Sequence, residues 1–204
     1  MAGPFAAIAE SYGNIISEAK GRLMIVNKAL AAPDPKDVLD YVAVSDLCAL
    51  QFRKIFEAVA LGCLAMHGDL PGTKRLKDDA YRADKLLASL AKLNPNFYPQ
   101  PCVIVERAQC DGGQGKVKNI RRGWLTKEEL RRLYFVFDHE MHVGSLMRRQ
   151  PIATVIGLGE YRTILTQTEL LLRVHWITRI DGSHVLCDTS SNKGPILIDV
   201  VTVE

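Results

Sequence analysis

The stretch RRLYFVFDHEMH, residues 131–142, contains the residue types that acid–base chemistry on a phosphate requires. On a helix, Arg132 and His139 are seven residues apart and lie within about 20° of each other around the axis. The guanidinium can hold a phosphate, while an imidazole of ordinary pKa transfers a proton near neutral pH. Such a pair could support metal-independent RNA cleavage, in which the RNA's own 2′-hydroxyl attacks. Two copies across a dimer would supply both the acid and the base.

The same stretch has other interpretations, which the sequence leaves open. The histidines of HEMH stand at i and i+3, whereas the zinc-protease helix needs i and i+4, so no metal site is predicted. Both rings can equally be hydrogen-bonded surface or interface groups. Phe135 falls on the outer face of the predicted helix, and His142 flanks that face. We therefore predict that Phe135 and His142 contact a second subunit or another part of the chain.

A basic run leads into this stretch. Between residues 116 and 132 there are seven basic side chains against two acids, although the net charge of the whole chain is only +3. A local basic surface of this kind attracts the phosphates of a nucleic acid, while a solvated loop and helix start is the simpler alternative. The predicted nucleic-acid-binding residues are Lys116, Lys118, Arg121, Arg122, Lys127 and Arg131.

Length and composition set the class of protein. A chain of 204 residues with 48% hydrophobic and 24% charged residues predicts one folded, soluble domain. The five cysteines include no C-x-x-C pair, so neither disulfides nor a zinc site is expected, and no cofactor is predicted. The first residues lack the features of a signal peptide, and no apolar run is long enough to span a bilayer. We therefore expect a cytoplasmic protein with no membrane partner.

Periodicity predicts a mainly α fold: a helical bundle with a small C-terminal antiparallel β-meander. The bundle takes residues 1–175, with a short β-like insertion near 102–124, and the meander takes residues 176–204 of the same domain. GGQGKV, within the insertion, lacks the spacing and the Ser/Thr of a P-loop, so a hairpin turn is favoured. Apolar residues at helical spacing predict helices over 5–31, 38–66, 78–93, from 126 onward, and over 160–175.

RLYFVFDH, residues 132–139, resembles the motif of the HEPN class, the all-helical "higher eukaryote and prokaryote nucleotide-binding" domains. Active members carry an arginine and, after a short spacer, a histidine on a late helix at a dimer interface. The helices between residues 38 and 142 resemble that class too, as do LQFRKIFEAVAL and ADKLLASLAKLNPNFYPQP. The sequence departs from the active pattern at Leu133, where a polar residue commonly follows the arginine. The resemblance implies a homodimer that binds RNA or a nucleotide.

Two hypotheses of function follow. The first is a non-enzymatic, HEPN-like homodimer that binds RNA, a nucleotide or a protein partner. Its docking surfaces would be the Phe135 face and an exposed edge strand such as ILIDVVTVE. The second is a metal-independent endoribonuclease in which Arg132 contacts the scissile phosphate and His139 transfers the proton.

Overall fold

The computed structural model of the chain describes residues 4–67, 82–106, 115–140, 156–190, 196–199 and 201–203. Five helices lie in these ranges: α1 Pro4–Leu30, α2 Val38–Met66, α3 Ala83–Leu93, α4 Lys127–Glu140 and α5 Leu158–Arg173. Six strands accompany them: β1 Gln100–Glu106, β2 Gly115–Asn119, β3 Val174–Thr178, β4 His184–Asp188, β5 Ile196–Asp199 and β6 Val201–Val203. The predicted fold class, a mainly α bundle with a C-terminal β-meander, is confirmed. None of the described helices is long and apolar enough to cross a bilayer.

The helices form where local signals place them. α2 spans the whole segment predicted from its apolar run, and its first turn is capped by Asp37, whose carboxylate accepts a 2.9 Å hydrogen bond from the Asp40 amide. α1 packs along α2 through a stripe at helical spacing that includes Tyr12, Ile16 and Leu23. Propensity alone would not hold such helices, so this burial supplies most of their stability.

Four aromatic rings tie three of the helices together. Phe52 of α2 stacks on Phe137 of α4 at 5.8 Å between ring centroids and on Tyr161 of α5 at 6.1 Å. Phe56 completes the group, 5.9 Å from Phe137, and all four rings are fully buried. Aromatic pairs at these distances add about 0.5–1.5 kcal/mol each beyond the area that they bury. The position of α4 is therefore fixed by the core of the bundle.

The sheet is larger than the predicted meander. β3, β4 and β5 pair antiparallel in sequence order, as a meander does, but β1 also pairs antiparallel with β3. β1 and β2 pair antiparallel, as the hairpin interpretation expects, and the residues 107–114 that join them lie outside the described ranges. β6 runs parallel to β2. The insertion and the C-terminal strands, predicted as two separate parts, thus form one sheet with the order β5-β4-β3-β1-β2-β6.

This sheet curls until its two edges meet. β5 and β6 stand at opposite ends of the strand order, yet only one residue separates Asp199 from Val201 along the chain. Two residue steps span at most about 7 Å, so the end of β5 lies close to the beginning of β6, and β4 contacts β6. The segment predicted to be an edge strand supplies both ends of the strand order, since β5 pairs with β4 and β6 pairs with β2.

The two faces of the curled sheet have different neighbours. Facing residues of antiparallel strands share a face, as do residues two apart along a strand. On the convex face Ile177, Val185 and Cys187 join the helical core. On the concave face Cys102, Val117, Leu186, Ile104, Val174 and Trp176 make a second apolar cluster. β3 therefore presents His175 to the bundle and the next residue, Trp176, to the inside of the curl.

Candidate nucleic-acid interface

α4 carries the residues that the sequence analysis identified as candidates for acid–base chemistry. A capping box defines where this helix begins. The Thr126 amide donates to the Glu129 carboxylate at 2.9 Å, and the Glu129 amide donates to the Thr126 hydroxyl at 3.2 Å. Leu130, Leu133, Tyr134 and Phe137, which helical spacing places on one side of α4, are all buried. These contacts set which face of α4 reaches the solvent.

An ionic cluster further ties α4 to α2. Arg53 of α2 lies 3.2 Å from the Asp138 carboxylate of α4 and 3.3 Å from Glu57 on its own helix. The Tyr134 hydroxyl donates to Glu57 at 3.3 Å. Asp138, although it is next to His139 in the sequence, is therefore engaged by an arginine of another helix. The cluster is part of the support of α4.

The outer face of α4 holds the proposed catalytic pair. Arg132 is exposed, His139 is partly exposed, and between them the Phe135 side chain is 69% exposed. The Phe135 and His139 rings are 6.1 Å apart between centroids. Seven residues of helix separate Arg132 from His139 by roughly 10 Å along the axis, so one copy of α4 spreads the two groups over two turns. His142, predicted to flank this face, lies outside the described residues.

The predicted basic residues separate into distinct groups. Lys116 and Lys118 lie on the convex face of β2, because Val117 between them points into the curl. Arg121 and Arg122 are exposed in the loop that leads to α4, as are Arg131 and Arg132 on α4 itself. These four arginines have no carboxylate partner among the residues that the structure describes. The structure thus leaves four uncompensated cations around the beginning of α4.

A cleft that the sequence did not indicate opens next to the loop that carries Arg121 and Arg122. Its volume is about 490 Å³, and it lies where β1 and β4 begin and β2 and β3 end, at one mouth of the curled sheet. The sheet contributes Gln100, Asn119, Trp176 and His184 to its wall, and the segment that enters α4 contributes Trp124 and Lys127. Both tryptophans of the chain therefore line one cleft. We call this the mouth cleft.

Both indoles of the mouth cleft are held in place by other side chains and by backbone. The Trp176 ring nitrogen donates to the Asn119 side-chain oxygen at 2.7 Å, and the His184 ring packs edge-on against Trp176 with centroids 4.8 Å apart. The Trp124 ring nitrogen donates to the Ile120 carbonyl at 3.0 Å, and Tyr98 stacks beneath Trp124 at 6.4 Å. With both N–H groups satisfied, the indoles offer their apolar surfaces to the cleft.

Other chemistries find less support in the described residues. No group of three or more His, Cys, Asp or Glu side chains within the described ranges is arranged to hold a metal ion. The described cysteines are free and buried, and burial raises the pKa of the Cys102 and Cys187 thiols to about 12, so these two are protonated near neutral pH. Cys110 lies outside the described residues. The chemically distinctive regions are thus the outer face of α4 and the mouth cleft.

Comparisons with protein families, with curated proteins and with solved structures found no match for this chain. Its own residues must therefore carry the functional argument. Sequence reasoning found the α4 face and missed the mouth cleft. The available signal was the presence of only two tryptophans, one just before the predicted helix that begins at 126 and one just after the predicted helix over 160–175.

Proposed function

We propose that this protein binds RNA as a homodimer of the HEPN-like kind that its RLYFVFDH stretch resembles. The observation that carries the proposal is the group of four exposed arginines without carboxylate partners among the described residues, Arg121, Arg122, Arg131 and Arg132. Guanidiniums that are not neutralised by the protein gain most from phosphates, because binding releases the counterions condensed on the nucleic acid.

The test is the affinity for a labelled single-stranded RNA, measured by fluorescence anisotropy from low to high salt. We expect the logarithm of the binding constant to fall linearly with the logarithm of the salt concentration, by about 0.7 per phosphate contact. A double variant, Arg121→Gln with Arg122→Gln, should bind more weakly and with a shallower slope. The matched control, Lys28→Gln with Lys36→Gln, removes the same charge from exposed positions elsewhere. Equal affinity and slope in both double variants would contradict the proposal.

The homodimer is supported by the outer face of α4. The Phe135 side chain is 69% exposed in the middle of α4 and its ring contacts that of His139, so a second copy packed on this face would remove apolar surface from water. Phe135→Ser should shift the mass measured by light scattering towards the monomer without loss of helical signal. Tyr41→Phe, a change at a partly buried tyrosine of α2, is the control. A mass that is the same for wild type and Phe135→Ser would exclude this face as the dimer contact.

A second candidate function is metal-independent RNA cleavage. It is favoured by Arg132 and His139, which are both accessible on one side of α4, and a dimer through Phe135 would bring two such pairs together. Cleavage of RNA in excess chelator is compared between wild type, Arg132→Ala and His139→Ala. Loss of cleavage in both variants, at unchanged fold and mass, identifies the pair as catalytic. Equal or absent cleavage in all three proteins rules out this candidate and leaves RNA binding untouched.

A further inference from the structure

The mouth cleft is suited to a flat aromatic ligand. Trp124 and Trp176 are each partly exposed, and their ring positions are fixed by Tyr98 and His184 respectively. Because their N–H groups are already bonded within the protein, no rearrangement is needed before a ring can stack on them. The volume of about 490 Å³ lies within the range of small-ligand sites, which often occupy such openings in closed sheets.

The polar groups of the cleft suit the edge of a nucleobase. The Asn119 oxygen accepts from Trp176, which leaves the Asn119 amide nitrogen as a donor. The Gln100 nitrogen donates to the Tyr98 carbonyl at 3.4 Å, which leaves the Gln100 oxygen as an acceptor. A nucleobase carries donors and acceptors side by side on its edges, so one donor and one acceptor on the cleft wall can both form hydrogen bonds with one edge of the base.

The charges around the cleft distinguish a nucleotide from other ring-shaped ligands. Lys127 and Glu128 both line the cleft and lie 3.7 Å apart, so their charges offset each other, whereas Arg121 and Arg122 are exposed in the loop that runs from Asn119 to Trp124. A neutral sugar would also stack on indoles but would gain little from these two arginines. A phosphodiester chain gains from each of them.

We propose that the mouth cleft binds an unpaired base of single-stranded RNA, stacked on Trp124 and Trp176 and flanked by phosphates at Arg121 and Arg122. This inference rests on the proposed RNA-binding function and names its site. A single strand is required because the bases of a duplex are stacked on one another and their edges are paired. The walls of the cleft come from the sheet, from the segment before β1 and from the beginning of α4, and they do not include Arg132 or His139.

Intrinsic tryptophan emission tests the proposal directly, because both tryptophans of the chain line the cleft. Titration with a single-stranded RNA octamer of mixed sequence should quench the emission in a saturable way. An octamer duplex and an abasic ribose-phosphate octamer should leave the emission unchanged. A neutral oligosaccharide at equal concentration should also leave it unchanged, and quenching by that sugar would overturn the assignment of the ligand.

Two variants test whether the residues of the mouth cleft form the binding site. Trp176→Ala should weaken binding of the octamer roughly 5- to 150-fold, the range for loss of one stacking aromatic. Asn119→Ala keeps both tryptophans and removes a donor and the support of Trp176, so it should also weaken binding. Asn27→Ala, at an exposed amide of α1, is the matched control and should bind as wild type does.

The outcomes separate this inference from the proposal on which it rests. Salt-dependent RNA binding with unchanged emission, and with Asn119→Ala and Trp176→Ala equal to wild type, would overturn the mouth cleft as the site and leave RNA binding intact. Quenching by free nucleosides without any RNA binding would overturn RNA as the ligand of the cleft. Quenching by the single strand alone, lost in both variants, supports the proposal.

Discussion

The outer face of α4 and the mouth cleft meet at the beginning of α4 but are built in opposite ways. Every residue of the α4 face comes from one helix, and its support is the buried opposite side of that helix. The mouth cleft takes its walls from segments as far apart as Gln100 and His184, which the curled sheet brings together. The α4 face therefore depends on local periodicity, and the mouth cleft depends on long-range pairing of strands.

The two regions also differ in how their aromatic groups are held. Phe135 is largely exposed and contacts the ring of His139, while Trp124 and Trp176 are both hydrogen bonded and packed by neighbouring rings. An aromatic ring that is already held in its binding position suits a small ligand, because little conformational entropy is lost when the ligand binds. An exposed aromatic on a rigid helix instead suits a large partner that can bury it. Under the proposed function, the mouth cleft would recognise a base and the outer face of α4 would serve association.

The largest effect on stability is expected for a substitution on the buried side of α4, compared with one on its outer face. Phe137→Ala removes a fully buried ring that stacks on Phe52 and Tyr161, and it should cost about 3–5 kcal/mol in the free energy of unfolding. Phe135→Ala, at an exposed position of the same helix, should change the free energy of unfolding by less than about 0.5 kcal/mol in the monomer. Urea denaturation at low protein concentration measures both. Similar losses for the two variants would show that the α4 face is not an outer face.

A second prediction concerns the loss of stability at acidic pH, which we expect to arise from His175 on β3, the strand that also carries Trp176. His175 is fully buried beneath the sheet, its Nε2 lies at a hydrogen-bonding distance of 2.5 Å from the Tyr12 hydroxyl oxygen, and burial lowers the pKa of His175 to about 4. The unfolded chain regains the ordinary value near 6.5. Between these pH values the unfolded state binds more protons, so stability falls as the pH drops from about 6.5 to about 4, by about 3 kcal/mol in total.

Denaturation in urea at several pH values checks this prediction. His175→Gln should flatten the dependence of the free energy of unfolding on pH between 6.5 and 4.5, whatever its effect at neutral pH. His184→Gln, at a partly exposed position on the other face of the sheet, is the control and should retain the slope. A slope that survives His175→Gln would assign the acid sensitivity to other groups.

These contrasts explain what the sequence could and could not predict. The bounds of α2 and the buried stripe of α4 follow from apolar residues at helical spacing, and Thr126 with Glu129 marks the beginning of α4. Alternation in the tail predicted strands, but a period of two does not say which strands pair. The pairing of Gln100 with Trp176 and the parallel contact between β2 and β6 are long-range, so the mouth cleft had no local signature.

A smaller effect is expected where the two regions meet. Thr126 caps α4 and also lines the mouth cleft, so Thr126→Ala should cost about 1 kcal/mol in stability and should weaken binding of single-stranded RNA. Thr163→Ala is the matched control, because the Thr163 hydroxyl lies on the exposed side of α5 and donates back to the Gly159 carbonyl of the same helix. Thermal unfolding and quenching titrations measure the two effects. A loss of stability with unchanged binding would separate the beginning of α4 from the ligand site.

The smallest expected change in the free energy of unfolding should come with a measurable change in RNA binding. Arg131→Gln and Arg132→Gln change exposed side chains and should each alter the free energy of unfolding by less than about 0.5 kcal/mol. If one RNA strand runs from the mouth cleft along α4, each substitution should reduce the salt slope by about 0.7, as should Arg121→Gln. A slope reduced only by Arg121→Gln would confine the RNA to the cleft. The outer face of α4 would then serve association alone, because its arginines would bind no phosphate of the strand held at the sheet.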